Sequence, residues 1–560
     1  MSSKKKTSNT LGILSVLAWI LFAGTAVWFV IVFHSFDMFP NTWVLILVTV
    51  LLLLALLTGW VVYSRNSGKS SKILASIVNV LLAICLTIGS LYLPSIRSKI
   101  EKVFTDIGDS EVLSINYYVL TDEYKDAHPE VFDPEYIAAH TETENPEVTP
   151  EGTEETQEVS EETTSGETQE EEPKEETPKR VNNPDDYPEE LREIIQHIDS
   201  TFLVQKNIDL ENQSFAMNQL KELYEEENIK TKEFDSLWDA YDALLANEGE
   251  VFVMNSNYEE LFMDVEGYGD FKKNTKLIFT VNKEIEKPVF PEPVAGSDSF
   301  SILIAGNDTY GGISVYGRTD VVMIATVNTK TRQVALISFP RDSYVPNPAY
   351  GYRNDKLTHL GVSGIWNTAE GLSNYTGVPI DFYAMTNFSA FVKIIDTLGG
   401  IDIYNPYSFT TNNAANTWSG TFWEGDLHLD GTMALAYCRE RFNLPNGDFG
   451  RAEHENIVMR AIMDKAMSPA ILTNFMALLD SLSGMVVTNF PTDSMFDMVK
   501  MQLNNMAAWN IESKSLKGST GGASCAAAGG EVLSCVFLYD DEINGAIELM
   551  NKVINGEILE

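Results

Sequence analysis

Five arginines stand at the ends of predicted strands and helices in the C-terminal half of this chain, which is poor in basic residues. They are Arg318, Arg341, Arg439, Arg441 and Arg451. A guanidinium group holds two phosphate oxygens at once, because its donors form a planar fork. Any one of these arginines would ordinarily pair with a surface carboxylate. Five at element ends instead indicate a binding site for one concentrated anion.

Two of the arginines flank a predicted β-hairpin. Residues 320–340 alternate between apolar and polar around the turn Asn328–Thr331, a pattern typical of antiparallel strands. Because a hairpin returns to the edge where it starts, we expect Arg318 and Arg341 to lie near one another.

The other three arginines follow later in the chain. Arg439 and Arg441 are two residues apart, which in an extended segment would place both guanidinium groups on one side. Arg451 opens a predicted helix, whose amino-terminal dipole also favours an anion.

Two carboxylates are expected at the same edge. Asp308 follows the apolar strand Phe300–Ala305, and Asp320 comes directly before the next strand. Mg²⁺ is commonly held by one or two carboxylates together with phosphate oxygens. The two aspartates are therefore candidate magnesium ligands beside the anion.

A sheet is needed to position these residues, and the pattern of residues 298–556 predicts one. Further strand-like segments lie at Phe382–Thr386 and Ile401–Tyr404. Helical patterns lie at Ser389–Thr397, Glu453–Ala466, Ala470–Ser483 and Glu542–Ile554. The predicted fold class is α/β, with a mixed central sheet covered by helices on both faces.

A smaller α/β accessory domain is predicted at residues 94–290. Its strands are expected at Val112–Leu120, Glu250–Met254 and Leu277–Val281, and its helices at Glu189–Ser200, Glu211–Glu226 and Thr231–Asn247. Residues 141–180 interrupt it with 15 Glu, three basic residues and no aromatic residue. Such a segment should be a disordered, extended spacer. Contact with calcium or a wall polymer is the alternative role.

The first 93 residues are expected in a membrane. Three runs of 23, 21 and 21 residues carry no charged side chain: Leu11–Phe33, Trp43–Tyr63 and Ile73–Leu93. About 20 apolar residues suffice for a helix to cross the hydrocarbon. Lysine and arginine precede the first run and separate the second from the third, whereas residues 34–42 contain neither. The chain after residue 93 should therefore be extracytoplasmic.

The composition excludes several classes of function. With 80 acidic and 39 basic residues the net charge is −41, which argues against a nucleic-acid partner, because phosphate binding needs a basic surface. Four cysteines without a CxxC pair exclude a disulfide scaffold and a zinc site of that type. Cys525 and Cys535, ten residues apart in the predicted extracytoplasmic part, are expected to form one disulfide.

Residues 300–467 resemble the LytR–CpsA–Psr family, whose members attach glycopolymers to the cell wall of Gram-positive bacteria. The matching motifs, in order, are G-x-D at Gly306–Asp308, GRTD at Gly317–Asp320, SFPRDSYV at Ser338–Val345, DKLTH at Asp355–His359, GVPIDFY at Gly377–Tyr383, F-x-x-I-I-D-x-L-G-G-I at Phe391–Ile401, LHLDGTMALAYCRER at Leu427–Arg441 and GDFGR at Gly447–Arg451. The layout of spans, accessory domain and C-terminal domain resembles the capsule-polysaccharide branch.

This resemblance implies a membrane-anchored phosphotransferase that moves a capsular polysaccharide or teichoic-acid-like polymer from polyprenyl pyrophosphate to peptidoglycan. By motif position, Asp308 and Asp320 correspond to the aspartates that bind Mg²⁺, and the five arginines to those that hold the head group. Both aspartates and every arginine except Arg451 are also expected to act in catalysis. The lipid tail would lie in an apolar groove between sheet and helices.

The expected partners are the lipid-linked polymer, peptidoglycan, membrane lipid and other proteins of wall or capsule assembly. Two departures from the family pattern reduce the expected positive charge. His454 and Glu455 stand where the family often has Arg-Gln, and Val345 stands where some capsule-type members have arginine. His454 is expected to be an exposed surface residue.

Two functions remain open. In a magnesium-dependent transferase, with pyrophosphate hydrolysis as a side activity, either Asp308 or Asp342 would take the proton of the acceptor hydroxyl. The alternative is a protein that binds the lipid-linked polymer, or regulates wall assembly, without turnover. The presence of both aspartates at the anion site favours the enzyme, because a protein that only binds the polymer would need no more than the arginines.

Deleting residues 141–179 should leave polymer transfer by the purified protein nearly unchanged, because no arginine or aspartate of the predicted site lies there. Initial rates of the deletion variant and the parent, measured on one lipid-linked donor, check this. A tenfold loss in a folded variant would show that the spacer has a role of its own in the reaction.

Overall fold

The computed structural model describes residues 2–36, 39–64, 66–105, 110–141, 188–196, 201–206, 209–221, 229–286, 298–307, 313–411, 418–445, 447–468, 486–505 and 507–559. Within it the chain forms two compact units. One contains residues 1–109 and 287–560, and the other contains residues 110–286. The spacer beyond Thr141, the helix expected at Ala470–Ser483 and the aspartate at position 308 lie outside the described residues.

Three long helices open the chain: α1 (Ser2–Ser35), α2 (Asn41–Tyr63) and α3 (Lys69–Thr105). Their apolar windows, Leu11–Ser35, Asn41–Tyr63 and Lys69–Ile96, are each long enough to cross a bilayer. Large apolar side chains point outward along them, and Trp60 is 70% exposed. An apolar exterior of this kind is stable only in lipid, which supports membrane anchoring.

The accessory unit is built on a five-stranded sheet. Its elements are β1 (Ser110–Leu120), α4 (Asp122–Ala127), α5 (Pro129–Phe132), α6 (Pro134–Thr141), α7 (Glu189–Gln196), β2 (Thr201–Gln205), α8 (Leu210–Lys221), β3 (Lys230–Phe234), α9 (Leu237–Leu245), β4 (Val251–Asn255), α10 (Phe271–Asn274) and β5 (Thr275–Glu286), with a 3₁₀ helix at Ser256–Asp264. The strand order is β3-β2-β4-β1-β5.

One prediction for this unit is wrong. The residues expected as a single helix, Thr231–Asn247, form β3 followed by α9. Ser236 separates the two, because its side chain accepts a hydrogen bond from the amide of Asp239 and caps the helix. The edge strand β3 is largely exposed, so it lacks the apolar alternation that would have marked it.

The C-terminal domain follows. Its elements are β6 (Ser299–Asn307), β7 (Val321–Asn328), β8 (Gln333–Phe339), β9 (Tyr344–Asn347), β10 (Arg353–Lys356), α11 (Leu357–Leu360), α12 (Ile365–Thr376), β11 (Phe382–Asn387), α13 (Phe388–Thr397), β12 (Ile401–Asn405), β13 (Phe409–Thr411), β14 (Gly420–Phe422), β15 (Gly425–Leu429), α14 (Gly431–Arg439), α15 (Asp448–Ala466), β16 (Val487–Thr488), α16 (Thr492–Asn505), β17 (Asn510–Ser515), β18 (Gly518–Ser524), β19 (Val532–Leu538) and α17 (Asp540–Ile554).

Six strands form the central sheet in the order β16-β11-β6-β7-β8-β17. β6, β7 and β8 are antiparallel neighbours, whereas β11 and β17 run parallel to β6 and β8. The mixed sheet and the hairpin of β7 and β8 are therefore confirmed. β7 and β8 are buried almost throughout, which places the core of the domain on both faces of this hairpin.

The predicted disulfide is absent. Cys525 and Cys535 are both buried free thiols whose sulfur atoms lie 3.5 Å apart, against about 2.05 Å in a disulfide. The spacing prediction was right about their proximity, because β18 and β19 pair as a hairpin and bring the two residues together.

Candidate functional site

The site forms where several strands of the central sheet end at one edge. Asn307, the last residue of β6, pairs with Asn387, the last residue of the parallel β11. Gly306 pairs with Val321 at the start of β7, so Asp320 lies at the same edge.

Backbone hydrogen bonds of one residue, Thr358, fix the two arginine-bearing loops. Its carbonyl accepts from the amide of Thr319 at 3.3 Å, and its amide donates to the carbonyl of Arg341 at 2.9 Å. Thr358 lies in the DKLTH segment, where Asp355 and His359 are fully buried and hydrogen-bonded to each other at 2.7 Å. This segment therefore braces the loops around the site, a role that sequence reasoning did not assign to it.

Asp320 and Arg341 form the central ion pair. Arg341 donates from Nη1 to Oδ1 of Asp320 at 2.7 Å, with side-chain exposures of 21% and 14%. Burial by itself would raise the pKa of the Asp320 carboxyl. The charge and hydrogen bond of Arg341, aided by Arg318 and Arg451, outweigh burial and lower that pKa below its ordinary value. Asp320 is thus ionised and surrounded by guanidinium groups.

Arg439 and Arg441 line the same cavity, but not from an extended segment as predicted. Arg439 is the last residue of α14, and Glu440 leaves the helix in an extended conformation. The guanidinium of Arg439 lies over the ring of Phe388, 4.4 Å from its centroid. Gly431 begins α14 so close to α13 that a Cβ would meet the carbonyl of Val392 at 2.2 Å.

Arg451 lies in the first turn of α15, as predicted, and pairs with Glu455 at 3.4 Å. The prediction for His454 is wrong, because it is fully buried rather than exposed. Its ring stacks on Tyr437 at 4.0 Å, and Nδ1 lies 3.0 Å from the Tyr437 carbonyl. Burial lowers the pKa of His454 to about 4, so it is neutral and adds no charge to the site.

These residues enclose a cavity of about 260 Å³. Its charged lining residues are Asp320, Arg341, Arg439, Arg441, Arg451 and Glu455. Among the lining residues that the structure describes, four arginines against two carboxylates give a formal charge of +2, in a protein whose net charge is −41. Arg318 does not line the cavity, although its charge acts on Asp320. Such a cavity is suited to a multiply charged anion.

Much of the remaining cavity wall is apolar, and this apolar surface continues beyond the cavity as a groove. The apolar lining includes Ile304, Val321, Met323, Phe391, Leu435 and Met459. In the groove, Met459 and Met463 of α15, and Met467 just past its end, are only partly buried and pack against the face of the sheet formed by β7 and β8. From Arg451 to Met467 a helix advances about 24 Å at ~1.5 Å per residue. The groove therefore has a cationic end and a long hydrocarbon-like remainder.

A polar residue that sequence reasoning quoted but gave no role also lines the cavity. Asn307 is 3% exposed, and its Nδ2 donates to the carbonyl of Ser314 at 3.3 Å. Its Oδ1 is buried and has no hydrogen-bond partner within the described part of the chain. Since a buried acceptor without a partner is costly, this oxygen is available to a donor or a cation. Only the fold reveals it, because the signal is burial and not residue type.

The donor set is compatible with Mg²⁺, which prefers carboxylate, amide and phosphate oxygens. Oδ1 of Asp320 accepts a hydrogen bond from Arg341. The second carboxylate oxygen of Asp320 and Oδ1 of Asn307 are the candidate ligands. No cluster of three or more His, Cys, Asp or Glu occurs among the residues that the structure describes. A magnesium ion held by few protein ligands and by phosphate oxygens agrees with such a site.

Comparison with known proteins gives these features a context. Residues 261–538 match the model of the LytR_cpsA_psr family. The polyisoprenyl-teichoic acid–peptidoglycan teichoic acid transferase TagU of Enterococcus faecalis is 32% identical over 273 residues, which is 46% of this chain and 84% of that protein. The chain belongs to the LytR_cpsA_psr family.

Other members show the extent of the similarity. The transferase of the same name from Bacillus anthracis is 35% identical over 210 residues, which cover 37% of this chain and 66% of the relative. The crystal structure of TagU from B. subtilis covers 47% of this chain and 100% of its own chain, with 26% identity and a TM-score of 0.36. A structure described as TagT bound to LI-WTA covers 47% of this chain and 94% of its own, with 22% identity and a TM-score of 0.37.

The buried histidine predicts a pH dependence of stability. Its pKa is about 4 in the folded chain and ordinarily 6.5, so between these values the unfolded chain binds a proton that the folded chain does not. The free energy of unfolding should therefore fall as pH drops from 6.5 towards 4, by up to ~1.4 kcal/mol per pH unit. Denaturant titration of His454→Gln should show a flatter dependence than the parent.

The matched control is His428→Gln. His428 lies on the surface with a side chain 58% exposed, beside Asp402. The pH dependence of this variant shows what the replacement of a surface histidine does by itself, and the flattening in His454→Gln is measured against it. Parallel curves for His454→Gln and the parent would contradict a neutral, buried His454.

Proposed function

We propose that the protein is a membrane-anchored phosphotransferase that moves a glycopolymer from a polyisoprenyl-pyrophosphate carrier to peptidoglycan. The observation that carries the proposal is the cavity itself, in which four arginines and Asp320 meet the end of a long apolar groove. A pyrophosphate joined to a hydrocarbon chain matches this combination of charge and apolarity. Relatives of the protein are named for the transfer of teichoic acid to peptidoglycan.

The reaction is a displacement at phosphorus. A hydroxyl oxygen of the peptidoglycan acceptor forms a bond to the phosphorus next to the polymer. The bond from that phosphorus to the bridging oxygen breaks, and polyisoprenyl phosphate leaves with the electron pair. The proton of the hydroxyl passes to a carboxylate, for which Asp308 and Asp342 are the candidates. Asp342 lies beside the site, with Oδ2 3.9 Å from Nε of Arg341.

Catalysis by this chain is electrostatic and positional. Arg341, Arg439 and Arg441 neutralise the charge that builds on the equatorial and leaving oxygens. Phe388 and the end of α14 hold Arg439 in place before substrate arrives, so little reorganisation is required. The apolar walls lower the local dielectric and strengthen each of these contacts.

Magnesium belongs to the proposal as well. Asp320 and Asp308 would hold the ion, with Asn307 as an additional oxygen donor from the same edge. When bound, Mg²⁺ would offset negative charge on the two phosphates and orient them for displacement. Pyrophosphate hydrolysis is a side activity of the same arrangement, with water in place of the acceptor hydroxyl.

The polymer is either a teichoic acid or a capsular polysaccharide. The site contacts described above concern the head group and groove, which are common to both classes of donor. We place the accessory unit and the C-terminal domain outside the cytoplasm, because lysine and arginine gather before α1 and between α2 and α3. Peptidoglycan, and proteins of wall assembly, are accessible partners on that side of the membrane.

Neutralising the aspartates should affect turnover more than binding. Asp320→Ala and Asp308→Ala should each lower the rate of transfer steeply and weaken its dependence on Mg²⁺, while lipid binding is partly retained. Transfer from a polyprenyl-pyrophosphate oligosaccharide to an acceptor glycan, with polyprenyl phosphate as the second product, measures this. If the double variant still transferred polymer at the parental rate without magnesium, the assignment of the two aspartates and of magnesium to catalysis would be wrong.

Removing the arginines should act chiefly on binding. Arg439→Ala or Arg441→Ala should cost ~1.5–3 kcal/mol per charged hydrogen bond, or roughly ten- to hundredfold in Kd for the lipid-linked donor. Arg→Lys should restore only part of this, because an ammonium keeps the charge but loses the fork. Arg460→Ala is the control, since Arg460 lies on α15, is 52% exposed and does not line the cavity.

A further inference from the structure

The C-terminal domain contacts the ends of the membrane helices through an apolar cluster. Phe36, just past α1, and Phe496 of α16 are buried, with ring centroids 6.5 Å apart. Phe39, Leu93, Ile96, Met495 and Val499 pack around them. We call these seven residues the juxtamembrane cluster. Of its members from the first hundred residues, Phe36 and Phe39 lie between α1 and α2, and Leu93 and Ile96 lie where the apolar window of α3 stops.

The same helix α16 also braces the far end of the apolar groove. Gln502 donates from Nε2 to the carbonyl of Met467 at 3.0 Å. Its Oε1 accepts from Nε1 of Trp509 at 3.0 Å and from Nη1 of Arg332 at 2.8 Å. Met467 and Trp509 belong to the apolar layer on the sheet, and Arg332 stands in the turn between β7 and β8.

These contacts give the groove a direction. β7 begins directly after Asp320 at the cationic end and ends at Asn328 beside the turn, and α15 leads from Arg451 in its first turn to Met467 just past its last residue. Both elements therefore leave the arginines and end near Gln502 of α16. Phe496 and Gln502 are six residues apart, about 9 Å along a helix. The far end of the groove thus lies within about two helical turns of the juxtamembrane cluster.

We propose that the juxtamembrane cluster docks the domain on the outer ends of α1 and α3, so that the far end of the groove opens at the outer leaflet. The occupant of that opening is the isoprenoid tail of the lipid carrier. Its hydrocarbon can then pass from the bilayer into the groove without exposure to water, which is the unfavourable step for an apolar chain. This inference rests on the proposed function for the identity of the carrier.

The apolar character of one face of α16 supports docking on the membrane helices rather than an incidental contact. Phe496, Val499 and Leu503 are spaced to lie on one face of α16, and Leu503 is 5% exposed. On a domain without spans, that face would present aromatic and aliphatic side chains to water. The three membrane helices are therefore a part of the substrate path and not only a tether.

The first test compares two donors in liposomes that contain the full chain. One donor is a long-chain polyprenyl-pyrophosphate oligosaccharide embedded in the bilayer, and the other is a water-soluble analogue with two isoprene units. Phe496→Asp should lower the transfer rate at least tenfold with the bilayer donor and less than twofold with the soluble donor. Phe496→Leu should retain most of the rate. Ile558→Asp, at a position 74% exposed, is the control and should change neither rate.

Equal losses with both donors, from a variant that stays folded, would show that the cluster supports the chemistry and not the entry of the lipid, and no loss with the bilayer donor would show that the cluster is dispensable. Either result overturns the inference.

A second test does not depend on turnover. Met463→p-benzoylphenylalanine places a photoreactive group in the groove, and illumination in liposomes with fluorescent polyprenyl phosphate should label the parent and spare Phe496→Asp. Equal labelling of both would reject docking as the entry route. Labelling of a parent that transfers no polymer would refute the proposed function and leave the docking intact.

Discussion

The site depends on burying concentrated positive charge against apolar walls. Guanidinium groups cannot enter such a cavity without compensation, because an unpaired buried charge is strongly destabilising. Asp320 compensates this charge at the cationic end of the groove, where it forms an ion pair with Arg341 and lies within the influence of the charges of Arg318 and Arg451. Two carboxylates leave a surplus of positive charge in the cavity, so the fold is stable while affinity for an anion is retained.

The surrounding architecture serves to keep this charge in place. Parallel pairing of β6 with β11 brings two strand ends to one edge, and the hairpin of β7 and β8 adds Asp320 and Arg341 there. Thr358 then connects the two arginine-bearing loops through its own backbone. The cluster thus rests on regular structure and on a buried brace, which suits electrostatic catalysis by preorganised groups.

Sequence reasoning predicted the mixed sheet, the hairpin and the helix that carries Arg451, because apolar periodicity and turn residues specify such elements locally. It expected Arg439 and Arg441 on an extended segment, since two-residue spacing cannot distinguish a strand from a helix end. It expected His454 on the surface, although the residue is buried against Tyr437 by contacts distant in sequence. Asn307 was missed for the same reason, because an acceptor without a partner exists only once the fold is formed.

The central claim, supported by both the family resemblance and the structure, is that the arginine cavity binds a pyrophosphate whose hydrocarbon tail lies in the groove. The most direct measurement is a crystal or cryo-electron microscopy structure with a prenyl pyrophosphate bound. The account predicts phosphate oxygens within hydrogen-bond distance of Arg341, Arg439 and Arg441, and a tail that runs past Met459 towards Met467. A head group bound elsewhere, or a tail directed into solvent, would contradict it.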